Sequence, residues 1–561
     1  MPHKDERGVF AIRLFLFSRS FSFGTITPML LNKKTLTWAA AFFITACASA
    51  APTPIVFPTY DPFIIPSATI PQNINDPSRP VPATATVMPS ATATRPPTPT
   101  RVPLNLSPLV GFQNQILSGS PTPDAVRTLP TPRQDVEEYV VQPGDTLGDI
   151  AQRYGVSLQT LMDANNISDP NALEVGVLLL IPAPQPIGSG SALKIIPDSE
   201  LIHGPAAIDF NLRNFIASQN GYLNGYTQDV NGALLNGADI IEVVSHNYSV
   251  NPRLLLALLE YQSGWVTNPF PTELDYPMGN ADPNRAGLYR QAAWAANTLN
   301  RGYYLWKANA ISTLVLADGQ VIPMDATINA GTAAIQYFFS ELYGYDAWQY
   351  ATSETGVAVT YFVLFNNPFK RAVEPVIPAG LTQPAMSLPF PAGESWYFTG
   401  GPHGSWDSGS AWGALDFAPP DNPGSCLTSA HWVTAMADGL ITRTGIGSVI
   451  QDLDNDGYEQ TGWALVYMHI AAEDRVTPGE YLFQNENIGH PSCEGGVSNA
   501  AHVHVARKYN GEWIAADGFI PFALDGWVSS GHGIEYDGFL TRGSTTIEAL
   551  DAAQDVNLVT R

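Results

Sequence analysis

Basic residues are scarce in this sequence. It contains 27 Lys and Arg against 51 Asp and Glu, so the formal net charge is −24 at pH 7. Nucleic acids and anionic membrane surfaces are bound mainly through clusters of Lys and Arg. The charge balance therefore argues against both as the main partner of the protein, although it says little about the fold.

The apolar segment near the N-terminus is short. It runs from Leu36 to Ala46, directly after Lys33 and Lys34. A run of this length cannot span a hydrocarbon core of roughly 30 Å as a helix. A positive region followed by a short apolar run is typical of a secretion signal, which here begins at Met29. The sequence therefore predicts export.

Cysteine is also rare, with Cys47, Cys426 and Cys493 as the three residues of this type. Cys47 ends a stretch that resembles the lipobox of bacterial lipoproteins, in which the cysteine is lipidated and becomes the mature N-terminus. Residues 1–47 are then a lipoprotein leader. The alternative is an ordinary signal peptide cleaved after Ala46 or Ala50.

If Cys47 carries lipid, Cys426 and Cys493 remain as one pair in one domain. Outside the cytoplasm such a pair is often oxidised, which predicts a disulfide. Two separate buried thiols are the alternative.

A chain of 561 residues is too long for one compact domain and predicts about three or four modules. Residues 48–135 are dominated by Pro, Thr, Ala and Ser, as in residues 95–100. Such a composition cannot bury enough apolar surface to fold and favours an extended chain. We expect a disordered linker that could reach on the order of 200 Å from its anchor.

Residues 137–182 carry the pattern of a small βααβ module. A strand precedes Pro143 and Gly144, a first short helix is capped near Asp145 or Thr146, and a second is capped at Ser157. A closing strand ends at Pro182. The Gly-Asp-Thr-Leu start and the Asn-Asn turn resemble LysM modules. The resemblance implies binding of glycans that contain N-acetylglucosamine, such as peptidoglycan.

Residues 195–385 predict a mainly helical middle domain. An apolar helix over 251–264 is followed by Trp265, an order that resembles the lysozyme-like lytic transglycosylases. Their catalytic acid is a Glu of a Glu-Ser-Gly motif, but this sequence has Gln262 there, and an amide cannot donate that proton. Glu260 lies about 200° around the helix. We therefore expect a glycan-binding or structural domain, with a glycosidase acting through Glu260 as the minority alternative.

Histidines concentrate in the last part of the chain, where seven of the ten lie beyond residue 400. Short alternating runs separated by Gly, Pro, Asp and Asn predict a mainly antiparallel β domain over residues 386–545, followed by a polar tail over 546–561. On a strand, His502 and His504 project from the same face while Val503 and Val505 point to the other.

The upstream segment adds His403 and Asp416. Zinc accepts histidine nitrogen and carboxylate oxygen, and a catalytic zinc site keeps one position open. His403, Asp416 and His504 lie in contexts that resemble the lysostaphin-like zinc endopeptidases, specifically their β-lytic and staphylolysin-type branch. The resemblance implies that these three residues bind zinc.

The same resemblance assigns roles to two further histidines. His502 and His469 match the non-ligand pair of the family, which acts as general base and as electrophile for the oxyanion. The implied activity is hydrolysis of peptidoglycan cross-links or stems by a membrane-anchored or secreted wall protein. Two alternatives remain, namely a silent wall-binding scaffold or amidase activator, and a lytic transglycosylase acting through the middle domain.

The acidic run that begins at Asp452 starts like an EF-hand calcium loop. Its twelfth position is Trp463 rather than Glu. We therefore expect an acidic hairpin turn, with a structural calcium site as the alternative. Taken together, the fold class expected is multidomain α+β: a βααβ LysM module, a mainly α lysozyme-like domain and a mainly antiparallel β catalytic domain.

Overall fold

The computed structural model describes residues 126–142, 145–421 and 424–561. The predicted leader, Cys47 and most of the predicted linker lie outside the described residues. Within them, no helix is both long and apolar enough to cross a membrane.

The first folded unit is the predicted βααβ module. Its elements are β1 (Glu137–Val140), α1 (Leu147–Arg153), α2 (Leu158–Asn165) and β2 (Leu178–Ile181). The two strands pair antiparallel. The side-chain oxygens of Thr146 and Ser157 accept hydrogen bonds from backbone N–H groups in the first turns of α1 and α2, as helix caps do. This arrangement confirms the predicted order of elements.

The second unit is mainly helical, as predicted. Its helices are α3 (Leu212–Gln219), α4 (Tyr222–Gly225), α5 (Gly237–Tyr248), α6 (Pro252–Ser263), α7 (Leu288–Lys307), α8 (Ala330–Ser340), α9 (Tyr345–Ala351) and α10 (Val357–Phe365). Two small hairpins interrupt them: β3 (Thr227–Val230) with β4 (Ala233–Asn236), and β5 (Thr313–Val315) with β6 (Val321–Pro323).

Helix α6 is the apolar helix that the sequence predicted over residues 251–264. Asn251 caps its first turn through the Arg253 N–H, and Gly264 ends it with a positive φ of 72°. The helix is buried from Pro252 to Glu260, so it forms part of the domain core rather than a surface.

The third unit is built from short strands. They are β7 (Ser395–Gly404), β8 (Trp412–Ala418), β9 (Val433–Thr434), β10 (Gly439–Gly445), β11 (Ser448–Asp452), β12 (Trp463–Met468), β13 (Tyr481–Leu482), β14 (Asn487–Gly489), β15 (Val503–Tyr509), β16 (Glu512–Trp513), β17 (Ala523–Leu524), β18 (Trp527–Ser530), β19 (Phe539–Arg542), β20 (Thr545–Glu548) and β21 (Leu558–Thr560).

The main sheet has nine strands in the described part of the chain, in the order β13-β10-β11-β12-β15-β8-β7-β21, with β16 beside β15. Its strand pairs are antiparallel, in agreement with the sequence. On one face, alternate residues such as Leu415, Leu465 and Val503 enter the core of the β domain.

The opposite face of the same sheet is covered by the helical domain. Ala414, Val466, Met468 and Ala506 belong to the core cluster of the helices. Beside this apolar contact, the buried carboxylate of Glu459 accepts hydrogen bonds from Arg443 (2.8 Å) and Lys508 (2.7 Å) of the β domain. Its Oε1 also lies 2.8 Å from His246 Nδ1 of α5. The helical and β domains therefore share one buried interface.

The C-terminal residues correct one prediction. Residues 546–561 were expected to be a polar tail, but they include the end of β20 and all of β21, which pairs with β7 at the edge of the main sheet. Val559 is fully buried, and Asn557 Nδ2 donates to the carbonyl of Phe398 at 2.9 Å. The β domain therefore continues to the last residues of this sequence.

Candidate metal centre and active site

Three predicted residues meet on the sheet face that the helical domain also contacts. His403 lies near the end of β7, Asp416 on β8 and His504 on β15. Asp416 and His504 are direct cross-strand partners. The three residues are 2%, 7% and 6% exposed in the order His403, Asp416, His504, so the cluster is removed from bulk water.

The candidate donor atoms form a small triangle. His403 Nε2 lies 2.9 Å from His504 Nδ1. Asp416 Oδ1 lies 3.3 Å from the first of these nitrogens and 3.2 Å from the second. Ligands about 2.1 Å from a tetrahedral zinc ion are separated from each other by roughly 3.4 Å. The triangle is therefore close in size to one face of a zinc coordination sphere.

Backbone carbonyls fix which nitrogen of each ring faces the cluster. His403 Nδ1 lies 2.8 Å from Gly401 O, and His504 Nε2 lies 3.1 Å from Ser405 O. A ring nitrogen beside a carbonyl must be the N–H donor, so in the neutral ring the other nitrogen keeps its lone pair. His403 Nε2 and His504 Nδ1 are thus both lone-pair donors pointing at the same space.

Asp416 completes the donor set. Its Oδ1 is buried and has no hydrogen-bond partner, although two imidazole nitrogens lie close by. Burial alone would raise its pKa, but the neighbouring His403 and His502 hold the pKa of this carboxyl well below its usual range. With both rings neutral, three lone-pair atoms face one point, which fits a bound cation, and the two-nitrogen, one-oxygen set fits zinc.

Glycine at one position makes this approach possible. A Cβ built on Gly400 would lie 2.6 Å from Asp416 Oδ2, so a side chain there would displace the carboxylate. This accounts physically for glycine at position 400.

His502 and His469 lie beside the triangle, as the sequence predicted for a non-ligand pair. His502 Nε2 is 3.7 Å from Asp416 Oδ2, and the ring centroids of His502 and His469 are 4.3 Å apart. Their Nδ1 atoms face backbone carbonyls, Ala500 O at 2.9 Å for His502 and Glu494 O at 3.2 Å for His469. Each ring therefore keeps a lone pair at Nε2.

His469 has an uncommon backbone conformation and a strongly perturbed ring. Its φ is +62°, in the left-handed region that non-glycine residues seldom adopt. Burial, together with the charges of His502 and His504, lowers its pKa well below the ordinary histidine value. The ring is therefore neutral at neutral pH. Strained residues of this kind cluster at functional sites.

Tyr536 was missed at the sequence level. Its ring stacks on His403 with centroids 4.2 Å apart and an interplanar angle of 18°, while 55% of the residue stays exposed. The loop is tied to β7 by Gly401 N donating to Tyr536 O at 2.7 Å and Tyr536 N donating to Pro402 O at 3.1 Å. Nothing in the local sequence around Tyr536 signals this placement.

The two remaining cysteines are joined. Cys426 and Cys493 form a disulfide across 67 positions of sequence, as expected for a pair outside the cytoplasm. Cys493 begins the turn that supplies the carbonyls next to His469 and His502.

Other histidines of the β domain lie outside the triangle. His431 pairs with Glu394 at 2.9 Å, His532 with Asp537 at 3.2 Å, and His490 Nδ1 lies 2.8 Å from the carbonyl of His431. Each of the three rings is thus engaged by a partner away from the donor atoms of the cluster.

The acidic turn holds a second carboxylate group, formed by Asp452, Asp454 and Asp456. Asp452 accepts hydrogen bonds from the backbone N–H of Asp454 (3.2 Å) and of Gly457 (2.9 Å). Burial and the neighbouring Asp454 raise the pKa of Asp452 to about 7. These bonds within the turn fit the acidic hairpin expected from the sequence.

In the helical domain, Gln262 occupies the position that corresponds to the catalytic Glu of the lytic transglycosylases. Gln262 Oε1 accepts from the Tyr343 hydroxyl at 2.6 Å. The Glu260 carboxylate is buried and accepts from Val266 N–H, Thr267 N–H and the Thr267 hydroxyl, at 3.0, 3.0 and 2.5 Å. Glu260 therefore holds the chain after α6 in place, which disfavours the transglycosylase alternative.

Comparisons with known families and proteins agree with this organisation. Residues 139–182 match the LysM domain, and residues 194–378 match the LasA N-terminal domain. The chain is similar to Protease LasA of Pseudomonas aeruginosa, with 26% identity over 347 residues, 58% of this chain and 77% of that protein. It is also similar to the N-acetylmuramoyl-L-alanine amidase XlyA of Bacillus subtilis, with 48% identity over 48 residues, 9% of this chain and 16% of that protein.

Solved structures give a further likeness. The M23 metalloprotease pseudoalterin, from the deep sea, is 24% identical, and the match covers 31% of this chain and 99% of that one at a TM-score of 0.26. The lysostaphin catalytic domain from Staphylococcus simulans is 23% identical, with 22% of this chain and 88% of that one covered at a TM-score of 0.15. The family resemblance predicted from the sequence is confirmed by the LasA and LysM matches.

Proposed function

We propose that this LasA-like protein with a LysM domain is a zinc-dependent endopeptidase that hydrolyses peptide cross-links or stems of peptidoglycan. His403, Asp416 and His504 hold the metal. His502 and His469 move protons. The convergence of three donor atoms, one of them a buried carboxylate oxygen without a hydrogen bond, is the observation that carries the proposal.

The rigidity of the ligand set supports this role. The ring of His403 is held by Gly401 O of its own strand, and the ring of His504 is held by Ser405 O, directly after β7. Partners of this kind orient metal ligands and raise their basicity. A zinc ion held there supplies Lewis-acid polarisation of the scissile carbonyl and a nucleophile at neutral pH.

His502 and His469 can carry the proton of the reaction. With Nδ1–H donating to a backbone carbonyl, Nε2 of each ring is the free base. His502 Nε2 lies near Asp416 and so at the edge of the metal triangle, where it can accept the proton of the attacking water. Once protonated, the pair can donate to the oxyanion and then to the leaving amine.

The substrate class follows from the accompanying module. The LysM domain points to peptidoglycan glycan as the surface on which the peptidase works. Its contacts with the helical domain include the pairing of Arg301 with Asp149 at 3.3 Å and a hydrogen bond from Gln152 to Glu341 at 3.1 Å. We further propose that the protein works outside the cytoplasm in the cell wall, anchored through lipidated Cys47, with the Pro-rich segment as its tether.

The test is amine release from purified peptidoglycan by the protein from residue 48 onward, with zinc content measured on the same sample. We expect near-stoichiometric zinc and a rise in free amino groups. His504→Ala and Asp416→Ala should lose both. His490→Ala is the matched control, since this ring faces Trp432 instead of the metal triangle, and it should keep both.

The other outcomes contradict the proposal in different ways. Zinc without amine release from walls of several cross-link types would leave a wall-binding scaffold. Reducing ends released without amines would indicate a glycan-cleaving enzyme.

A further inference from the structure

One turn supplies the hydrogen-bond acceptors for both non-ligand histidines. We call residues 493–501 the disulfide turn. Glu494 O faces Nδ1 of His469 at 3.2 Å, and Ala500 O faces Nδ1 of His502 at 2.9 Å. Which imidazole nitrogen carries the proton is set by the bond that the other nitrogen makes. The conformation of this turn therefore decides whether both rings present a free Nε2.

Both ends of the disulfide turn are fastened to the same short segment. Cys493 is bonded to Cys426, and at the other end Ala501 N–H donates to Ser425 O at 2.7 Å. Residues 425 and 426 thus hold both ends of the disulfide turn.

Two glycines and Ser498 shape the interior of the disulfide turn. Gly495 and Gly496 have φ values of +71° and +70°, so the backbone there uses a conformation available mainly to glycine. The Ser498 hydroxyl lies 3.3 Å from Cys493 Sγ and donates to Ala500 O at 2.7 Å. One side chain therefore links the disulfide to the carbonyl that orients His502.

The metal ligands are oriented from elsewhere. The carbonyls facing His403 and His504 belong to Gly401 and Ser405, on β7 and directly after it. The disulfide turn thus contacts the proton-transfer pair, whereas a separate segment orients the ligand rings.

We propose that the Cys426–Cys493 disulfide positions His469 and His502 for proton transfer, independently of metal binding. The inference rests on the proposed function. The cysteines are positioning residues, since neither reaches the donor triangle. Loss of a partner that orients an active-site histidine lowers activity about 10- to 100-fold in related settings. We expect a loss of that size when the disulfide is removed.

The experiment compares wild-type protein with Cys426→Ala/Cys493→Ala on soluble cross-linked muropeptides prepared from a peptidoglycan that the wild type cleaves. The variant should keep stoichiometric zinc and a KM within about twofold, while kcat falls about 10- to 100-fold. Ser498→Ala keeps the disulfide and should show a smaller fall in kcat with the same unchanged zinc and KM.

Asp525→Asn controls for stability, because Asp525 accepts from Leu388 N–H at 2.8 Å and pairs with Arg561 away from the site. It should lower the melting temperature and leave kcat unchanged. Three results would overturn the inference: an unchanged kcat in both turn variants, zinc lost together with kcat, or an equal fall of kcat in Asp525→Asn. A wild-type protein that binds zinc but releases no amines would refute the proposed function itself, and with it this inference.

Discussion

Asp416 and His504 are direct partners on neighbouring antiparallel strands, with Asp416 Oδ1 3.2 Å from His504 Nδ1. Residues directly opposite in a sheet have their side chains on the same face. Two of the three proposed ligands are thus placed by strand register, and His403 reaches them from the adjoining strand β7. The proposed metal site is therefore built on paired strands of the main sheet.

Removing either proton-transfer histidine should separate catalysis from metal binding. His502→Ala and His469→Ala are expected to lower kcat by about 10²- to 10⁴-fold, the usual contribution of general acid–base groups, with zinc content unchanged. Steady-state kinetics and metal analysis on the same samples check this. His490→Ala provides the matched histidine loss and should behave as wild type. Zinc lost in either variant would make that residue a ligand instead.

The buried carboxylate between the helical and β domains should be a strong stability determinant. Glu459→Gln leaves Arg443 and Lys508 buried beside a neutral amide, and such loss of one partner costs about 3 to 5 kcal/mol. Denaturant unfolding of the full chain measures the change. Glu480→Gln, at an exposed position, should stay within about 0.5 kcal/mol of wild type. Equal stability of the two variants would contradict the importance of this interface.

The ionisation of Glu459 should account for part of the loss of protein stability at low pH. Burial would raise the pKa of Glu459, but Arg443, Lys508 and His246 hold it well below the ordinary value of 4.5. A carboxyl with a depressed folded pKa stabilises the protein fully above the unfolded pKa, and this contribution is lost as the pH falls below it. The difference in unfolding free energy between wild type and Glu459→Gln should therefore shrink from pH 6 to pH 3. A difference independent of pH would show that folding does not lower the pKa of Glu459.

The helical domain should not cleave glycan strands. Glu260 is engaged by three donors after α6, so Glu260→Ala is expected to destabilise the protein by about 1 to 3 kcal/mol, the cost of leaving buried donors unsatisfied. Wild type should release no reducing ends from purified glycan strands. Release that disappears in Glu260→Ala, with the protein still folded, would restore the glycosidase alternative.

Local patterns explain how much of the fold could be predicted. The βααβ module follows from helix caps at Thr146 and Ser157, and the paired histidines follow from strand alternation, which places His502 and His504 on one face. His403 and Asp416 are distant in sequence from that strand, and only the family resemblance suggested them.

Long-range packing explains what the sequence did not reveal. Tyr536 reaches His403 through a loop whose course depends on β7 and β18, and the carbonyls of Glu494 and Ala500 have no sequence signature. Strand β21 was not predicted because the residues before it are mostly polar. Strand β12 is apolar on both faces, which is typical of a strand buried on both sides, but its partner on the second face could not be identified without the structure.

The most direct test of the proposed zinc site is a crystal structure of the zinc-loaded chain from residue 48 onward. Anomalous data should be collected on both sides of the zinc absorption edge. We expect one strong anomalous peak about 2.0 to 2.2 Å from His403 Nε2, Asp416 Oδ1 and His504 Nδ1. His502 and His469 should stay outside the coordination sphere. A peak held by His502 or His469, or zinc confined to the Asp452 turn, would contradict the central claim.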